Sequence, residues 1–235
     1  MKRTVIITGG TKGLGLEIAL AFARAGHQVL ALYASDEHAA SQTQAELAAI
    51  NPANIVLRHD ITSEDAAVWS RPEIQEAESL AFIHNACAPF SPVPMHQLRW
   101  ENFEHNLNVA VKGAWLCSQA LIRPMLKKGG GVIVNILTSA VGGAPPKGFA
   151  AYVTAKHALR GLTLALAAEY APRGVRVWSV SPGFMHTPLT ASWDERMRDA
   201  ICSASRITDP AQAAKRLVEL MDSDSTAGHG EDYPV

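Results

Sequence analysis

Cysteine is scarce in this sequence. The 235 residues include three cysteines, Cys87, Cys117 and Cys202, which lie far apart, form no C-x-x-C pair and have no histidine at metal-ligand spacing. Isolated cysteines of this kind are typical of small buried side chains in a reducing compartment, rather than of a disulfide framework or a metal site. We therefore expect neither disulfides nor a bound metal.

Net charge and long apolar runs are lacking as well. The 21 basic and 22 acidic residues leave a formal charge of −1, so electrostatics gives no reason to expect nucleic acid or an anionic membrane as a partner. No apolar run is long enough to span a bilayer, and a strand pattern begins almost at Met1, which leaves no room for a signal or transit peptide. The expected location is the cytoplasm.

No linker, composition shift or repeat divides the chain. Instead, short β-branched apolar runs alternate with segments of helical periodicity along the whole length. This alternation is typical of parallel βαβ units with right-handed crossovers. The sequence predicts one α/β domain over residues 1–235, built on a parallel sheet.

The first of these units contains a glycine-rich turn. A predicted strand at residues 3–8 passes directly into Gly9, Gly13 and Gly15, and a helical pattern follows up to Gly26. Glycines let backbone N–H groups approach a pyrophosphate at the start of a helix. The T-G-x-x-x-G-x-G spacing differs from G-x-G-x-x-G, but the order of strand, turn and helix favours a nucleotide site.

Three residues in the second half carry the predicted chemistry. Tyr152 and Lys156 lie four positions apart, on one face of a helix, and Ser139 precedes Tyr152 by thirteen residues, just after a strand-like run. An ammonium beside a phenol lowers a pKa that is otherwise about 10, which would make Tyr152 a proton donor near neutral pH. A serine hydroxyl at the same point would hydrogen-bond a carbonyl oxygen as charge develops on it. Beside a hydride donor, these groups would reduce a ketone.

The end of the second predicted strand bears on the choice of cofactor. An acidic residue there would bind the ribose 2′-hydroxyl of NAD and repel a 2′-phosphate. No carboxylate follows that strand before Asp36, the preceding residue is Ser35, and Lys12 lies in the glycine turn. We predict NADP(H). If Lys12 is only a solvated turn residue, or if Asp36 turns inward, NAD(H) is the alternative.

Large apolar residues follow the sixth predicted strand. Residues 184–208 form a long connection that we predict to cover a substrate pocket at the carboxyl end of the sheet, although they would equally suit an ordinary surface helix. The predicted pocket residues are Phe90, Met95, Phe184, Met185, Leu189 and Trp193.

Taken together, these motifs resemble the short-chain dehydrogenase/reductase family over essentially the whole chain. The matching positions, in order, are residues 8–15, Asp60 and Ile61, Asn85 and Ala86, Ser139, Tyr152 and Lys156, and Pro182 and Gly183 with Thr187. Within the family, the sequence looks most like 3-oxoacyl-acyl-carrier-protein reductases. The resemblance implies a Rossmann-type doubly wound parallel sheet of about seven strands, with helices on both faces.

The resemblance also implies a role for each matching residue. Tyr152 would be the general acid in reduction, Lys156 would lower its pKa and bind the nicotinamide ribose, and Ser139 would polarise the substrate carbonyl. The implied cofactor-binding residues are Gly9, Thr11, Lys12, Gly13, Leu14, Gly15, Ser35, Asp60, Ile61, Asn85, Ala86, Tyr152, Lys156, Pro182, Gly183 and Thr187.

Three features depart from the family pattern. Cys87 stands where glycine is usual, so its side chain needs room near the cofactor. Ala110 replaces an asparagine that anchors a water relay to the lysine; either Asn106, one helical turn earlier on the same face, rebuilds the relay or proton delivery is slower. The chain ends at Val235 where relatives continue, which leaves the expected oligomer open between a homodimer and a homotetramer.

The leading hypothesis is NADPH-dependent reduction of a small-molecule ketone, a 3-oxoacyl thioester or similar, to a secondary alcohol. A carrier-bound substrate would need a basic patch, for which Lys127, Lys128 and Arg173 are candidates, although they also suit helix C-termini. One alternative is an NAD(P)-dependent dehydrogenase of a secondary alcohol, sugar or steroid. Another is a catalytically impaired nucleotide-binding sensor or subunit, for which Ala110 is the supporting feature.

Overall fold

A seven-stranded parallel sheet forms the centre of the molecule. The computed structural model describes residues 2–204, 206–223 and 228–235. Its strands are β1 (Thr4–Thr8), β2 (Gln28–Tyr33), β3 (Ile55–Arg58), β4 (Leu80–His84), β5 (Gly131–Ile136), β6 (Val175–Ser181) and β7 (Asp232–Pro234). They pair in the order β3-β2-β1-β4-β5-β6-β7, every pair being parallel. The predicted doubly wound sheet is confirmed, and the tail adds the seventh strand at the edge.

Eight α-helices lie between the strands in the described ranges. They are α1 (Gly13–Arg24), α2 (Glu37–Ile50), α3 (Pro72–Gln75), α4 (Trp100–Leu107), α5 (Gly113–Lys127), α6 (Ala150–Tyr170), α7 (Glu195–Ala204) and α8 (Pro210–Asp222). None of the helices in the described part of the chain is both long and apolar enough to cross a membrane.

The two faces of the sheet are covered by different helices because successive strand residues point to opposite sides. Val5 and Ile7 of β1 face a core that α1 and α8 cover, while Ile6 faces a second core to which α5 and α6 contribute. Helix α1 buries Leu14, Ile18 and Phe22 at four-residue spacing, which keeps the three side chains on one face. Strands buried on both faces are the reason for the continuous apolar runs in the sequence.

A π-helical turn, Asn108–Lys112, separates α4 from α5. The sequence pattern predicts one uninterrupted helix here, and hydrophobic periodicity gave no sign of the extra residue. The turn is followed by Gly113, where a Cβ atom would come within 2.7 Å of the Ile61 side chain. Single π-turns inside α-helices occur frequently at functional sites, and this one packs against α6, the helix that carries Tyr152 and Lys156.

Candidate active site

A cavity of about 300 Å³ opens at the carboxyl edge of the sheet. Because all strands are parallel, the segments that follow β1, β4, β5 and β6 meet at this edge. The predicted cofactor-binding residues that line the cavity are Gly9, Lys12, Gly13, Leu14, Asn85, Ala86, Tyr152, Lys156, Pro182, Gly183 and Thr187. The structure thus brings together segments that lie more than 150 residues apart in the sequence.

The glycine turn forms a cradle with no room for side chains. A Cβ atom on Gly15 would lie 2.0 Å from the Gly9 carbonyl oxygen, and Gly13 has a φ of +53°, in the left-handed region. Helix α1 starts directly behind the turn, with no side-chain cap and no acidic residue in its first turn. Its first N–H groups and its dipole are therefore available to an anion, so these residues fit the pyrophosphate of a dinucleotide.

The start of the next loop is tied to this cradle. The Asn85 side chain donates to the carbonyl oxygens of Thr8 (3.1 Å) and Gly9 (3.2 Å). The Thr8 hydroxyl accepts hydrogen bonds from the backbone N–H groups of Asn85 and Ala86, both at 3.0 Å. The predicted role of Asn85 and Ala86 beside the cofactor therefore includes fixing the glycine turn itself.

Five predicted cofactor residues lie away from the cavity lining. Gly15 packs within the turn, the carbonyl of buried Thr11 accepts from the Thr43 hydroxyl, and Ser35 is exposed. Asp60 accepts hydrogen bonds from the N–H and hydroxyl of Thr62, which lower its pKa. Ile61 is buried against Gly113. That these five residues contact a cofactor stays a prediction.

Lys12, which we predicted to meet the phosphate of NADP, is paired with a carboxylate. Its Nζ lies 2.9 Å from Asp36 Oδ2. Asp36 also caps α2 by accepting from the Ala39 N–H at 3.0 Å, and these two contacts, the cap first, lower its pKa. Binding a 2′-phosphate at Lys12 therefore requires the ammonium to exchange one anionic partner for another.

Tyr152 and Lys156 lie together in the cavity wall. The Lys156 side chain is buried, its Nζ donates to the Ile136 carbonyl at 2.7 Å, and it lies 5.8 Å from the centre of the Tyr152 ring. Burial raises the pKa of the Tyr152 phenol, and the neighbouring Cys87 thiol raises it further. Burial lowers the pKa of Lys156. The predicted lowering of the tyrosine pKa by the ammonium is thus wrong for the protein alone, because desolvation by burial is the largest influence on the pKa of the phenol.

Thr138, which the sequence prediction missed, supplies a hydroxyl beside Tyr152. Thr138 lines the cavity, its Oγ1 accepts from the Ala140 N–H at 3.4 Å, and its hydrogen bond to Tyr152 lowers the pKa of the phenol. Ser139 is exposed and is not among the residues that line the cavity; its N–H donates to the Pro182 carbonyl at 2.8 Å. The sequence signal for Thr138 was its position directly before Ser139, since adjacent residues in a loop can both reach a site.

The predicted substrate pocket divides into two parts. Met185 and Leu189 line the main cavity. Phe90 stacks on Tyr152 at 4.5 Å between ring centres, Trp193 Nε1 donates to the Phe90 carbonyl at 2.8 Å, and Phe184 and Trp193 belong to the same aromatic cluster. Phe184 and Trp193 therefore form a wall behind Phe90 rather than the lining of the main cavity.

A second cavity, of about 290 Å³, borders Phe90 and Tyr152 on the side of α4. Asn106 lines it, and its amide donates to the Asn102 carbonyl at 2.9 Å. That donor is therefore directed back along α4 and not toward Lys156, which is bonded to Ile136. Met95, a residue that is 69% exposed, lies outside both linings.

The predicted covering segment, residues 184–208, includes α7, and its two ends are hydrogen-bonded to each other. The Phe184 N–H donates to the Arg206 carbonyl at 2.7 Å and the Thr208 N–H to the Phe184 carbonyl at 2.8 Å. Position 205 of the segment lies outside the described residues. Met185 and Leu189 of this segment line the cavity, and α7 occupies its second half; that the segment covers a bound substrate stays a prediction.

The basic residues considered for carrier recognition lie at the edge of the sheet opposite the cavity. Lys127 and Lys128 precede β5, and Arg173 precedes β6. The cavity is at the opposite, carboxyl edge, so these side chains cannot form a basic rim around it. Lys128 instead donates to the Gln75 carbonyl at 2.7 Å.

Comparison with known proteins identifies the family. A family model described as short chain dehydrogenase matches residues 3–198. The chain belongs to this family. Among its curated relatives, carbonyl reductase family member 4 of Danio rerio is 30% identical over 97% of this short chain dehydrogenase and 94% of the relative. Acetoacetyl-CoA reductase of Allochromatium vinosum is 30% identical over 100% and 97%.

Solved structures give the same result for the fold. A putative NAD(P)-dependent gluconate 5-dehydrogenase from Beutenbergia cavernae with bound NADP superposes with a TM-score of 0.86 at 29% identity, covering 99% of this chain and 94% of that one. A 3-ketoacyl-(acyl-carrier-protein) reductase from Brucella melitensis complexed with NADH gives 0.86 at 25% identity, covering 99% and 96%. The family resemblance and the prediction of an NAD(P)-dependent oxidoreductase acting on small molecules are confirmed.

Proposed function

We propose that this short chain dehydrogenase reduces a ketone to a secondary alcohol with NADPH, and that the ketone is a 3-oxoacyl thioester or a similar molecule. The observation that carries the proposal is the shared cavity, in which an anion cradle at the start of α1 and the buried pair Tyr152 and Lys156 border one space. A dinucleotide held by its pyrophosphate at one end of this space would place its ring near the phenol.

A nicotinamide cofactor bound here would supply a hydride to the carbonyl carbon. Tyr152 then provides the proton for the carbonyl oxygen, and burial keeps the phenol protonated, since it raises the pKa. The Thr138 hydroxyl donates to the phenol oxygen and so directs the phenol hydrogen toward the substrate. Lys156 lies beside the phenol on α6, with its Nζ 5.8 Å from the centre of the Tyr152 ring. We assign the polarisation of the substrate carbonyl to Ser139, which is exposed. A protonated phenol is the form that reduction consumes, and its phenolate is the form that the reverse reaction needs.

The lining of the cavity supports an apolar substrate of moderate size. Met185, Pro188 and Leu189 border it on the side of the covering segment. The printed names of two similar proteins, an acetoacetyl-CoA reductase and a 3-ketoacyl-(acyl-carrier-protein) reductase, support an acyl thioester. Because Lys127, Lys128 and Arg173 lie at the opposite edge, no basic patch among them supports a carrier protein, and a free thioester is the favoured form.

The preference for NADPH over NADH rests on Lys12. Its ammonium borders the cavity and is half exposed. The Asp36 carboxylate competes with the 2′-phosphate of NADPH for this ammonium, so the preference for NADPH depends on which of the two anions Lys12 binds more strongly. The Thr11 and Ser35 hydroxyls and the Asp60 loop belong to the same proposed cofactor site.

We also propose a single catalytic domain over residues 1–235, cytoplasmic and assembled as a homodimer or homotetramer. Trp115 on α5 and Leu164 on α6 support self-association, since 47% and 49% of these apolar side chains are exposed.

A dehydrogenase of a secondary alcohol or sugar is the second candidate. The similarity to a putative gluconate 5-dehydrogenase favours it, and so does the pairing of Lys12 with Asp36, which lowers the advantage of NADP. Catalysis in this direction would need the phenolate form of Tyr152.

The test compares the wild type with Tyr152→Phe on acetoacetyl-CoA, a 5-keto sugar acid and the matching alcohols. We expect the wild type to reduce the thioester fastest, and Tyr152→Phe to lose turnover while it binds NADPH as before. Faster oxidation of the sugar acid would support the second candidate. Full activity of Tyr152→Phe would overturn the proposed role of the phenol.

A further inference from the structure

Tyr152 borders two cavities. The main cavity contains the glycine turn and Lys156, and the second cavity, on the side of α4, has Pro89 and Tyr152 in common with it. The second cavity measures about 290 Å³ and the main cavity about 300 Å³. No step described above uses the second cavity, although the proposed proton donor forms part of its wall.

The Phe90 ring is a fixed wall of the second cavity. It stacks on the Tyr152 ring, with 4.5 Å between the ring centres and 10° between the ring planes. Phe149 and Trp193 contact it edge-on at 5.3 Å and 5.2 Å, and its carbonyl accepts from Trp193 Nε1. Aromatic contacts on several sides hold a ring in one orientation. Phe90 lines the second cavity and not the main one, so the two cavities are distinct spaces beside Tyr152.

The two cavities differ in chemistry. The covering segment lines the main cavity with Met185, Pro188 and Leu189. The second cavity also has apolar residues, but its described lining includes no aspartate, glutamate, lysine or arginine. Such a space suits groups that form hydrogen bonds without carrying a charge. Besides Tyr152, the polar side chains of its lining belong to Ser91, Asn102, His105, Asn106 and Ser192.

Asn106 presents a nearly buried hydrogen-bonding group to the second cavity. Only 4% of this residue is exposed, and its Nδ2 donates to the Asn102 carbonyl at 2.9 Å. Among the described residues, none donates to Asn106 Oδ1, which remains accessible. An amide oxygen in this position gains free energy when a ligand supplies a donor. The other four polar residues are exposed, so they lie at the open side of the cavity.

We propose that the second cavity binds the amide-bearing arm of a pantetheine thioester, while the acyl chain of the same substrate enters the main cavity. A 3-oxoacyl thioester extends in two directions from its keto group, as an apolar chain on one side and as an arm with amide and hydroxyl groups on the other. Tyr152, the proposed donor to the keto oxygen, borders both spaces. This inference rests on the proposed function and adds to it the orientation of the substrate.

The polar lining favours this orientation over the reverse one. With the arm in the second cavity, Asn106 Oδ1 accepts from an amide N–H of the arm, and Asn102 and the two serines offer hydrogen bonds to its carbonyl and hydroxyl groups. The reverse orientation would place the acyl chain against these polar side chains and leave Asn106 Oδ1 without a donor, which costs free energy.

Two variants change the second cavity and leave the main cavity intact. Asn106→Leu removes the acceptor at nearly constant size, and Ser192→Phe narrows the open side from an exposed position. We expect Asn106→Leu to raise KM for S-acetoacetyl pantetheine about fivefold at unchanged kcat, the effect of one lost hydrogen bond. Ser192→Phe should raise it at least as much, because the ring blocks the arm. Neither should change KM for ethyl acetoacetate, which has the same ketone without the arm. Gln119→Leu, at an exposed position of α5 outside both linings, is the control and should match the wild type.

S-Acetyl pantetheine has the arm but no ketone, so it tests the second cavity without any reduction. Its dissociation constant, measured by isothermal titration calorimetry, should rise about fivefold in Asn106→Leu and stay at the wild-type value in Gln119→Leu. Wild-type binding and wild-type KM in Asn106→Leu would overturn the inference, even if the protein reduces ethyl acetoacetate well. If that variant does not fold, Ser192→Phe decides in the same way. If the protein reduces no ketone, weaker binding of S-acetyl pantetheine to the variants would still support the arm site and refute the proposed reaction.

Discussion

Thr138 provides the sharpest test of how the site handles its proton. Its hydroxyl accepts from the Ala140 N–H, and its hydrogen bond with Tyr152 lowers the pKa of the phenol, as expected of a donor to the phenol oxygen. Thr138→Val removes this donor and keeps the shape of the side chain. One buried neutral hydrogen bond is worth about 1 kcal/mol, which corresponds to about a fivefold fall in kcat for reduction. Because the bond lowers the pKa of the phenol, its loss should also raise the pH at which alcohol oxidation begins.

The assay measures kcat for ketone reduction and for alcohol oxidation between pH 6 and 10. Ser139→Ala is the matched variant: a lost hydrogen bond to the developing oxyanion costs about a hundredfold, without a shift of the pH profile, because Ser139 acts on the substrate and not on Tyr152. NADPH binding should be unchanged in both variants. An unaltered rate and pH profile in Thr138→Val would refute the assignment of its hydroxyl to Tyr152.

Further predictions concern charge. Asp36→Ser keeps a hydroxyl that can cap α2 and releases Lys12. It should therefore tighten NADPH binding about fivefold relative to NADH, the effect of one exposed ion pair. An unchanged ratio of the two affinities in a binding titration would argue against Lys12 as the phosphate partner. Since burial raises the pKa of Tyr152, alcohol oxidation should keep rising up to pH 10 while reduction stays level; an oxidation optimum at neutral pH would contradict this. The pKa of His84 is lowered to about 3, so the folded state resists a proton that the unfolded chain takes up below its usual pKa of about 6.5. The free energy of unfolding should therefore have its full value above about pH 6.5 and be about 2 kcal/mol lower at pH 5. Burial of His27 and His59 acts in the same direction, because it also lowers their pKa values. Equal urea midpoints at pH 7.5 and pH 5 would show that His84 is not held neutral.

The fold was predictable because its signals are local. The run from Thr4 to Thr8 is buried on both faces, so every residue of the strand but the terminal threonines is apolar, and the glycine turn and α1 follow with their own patterns. Tyr152 and Lys156 were recognisable from their spacing on one helix. The error about Lys127, Lys128 and Arg173 was avoidable, since residues that precede parallel strands lie at the edge opposite a site at the carboxyl ends.

The remaining features depend on distances between separate segments. Whether Lys12 is free or paired depends on where α2 begins, and the pKa of Tyr152 depends on burial that its neighbours in sequence do not reveal. The contact of Phe90 with Tyr152 joins the segments that follow β4 and β5. The hydrogen bond between His84 Nδ1 and the Thr8 hydroxyl joins residues that lie 76 positions apart in the sequence. No periodicity or motif encodes such contacts.

The central claim, that this cavity binds NADPH and uses it to reduce an acyl thioester, is tested most directly by fluorescence titration of the purified protein with NADPH and NADH, followed by acetoacetyl-CoA in the same cuvette. We predict tighter binding of NADPH and its consumption once the thioester is added. Preferential binding of NADH would contradict the assignment of Lys12, and tight binding of either cofactor without turnover on any ketone would contradict the assignment of the cavity as a reductase site.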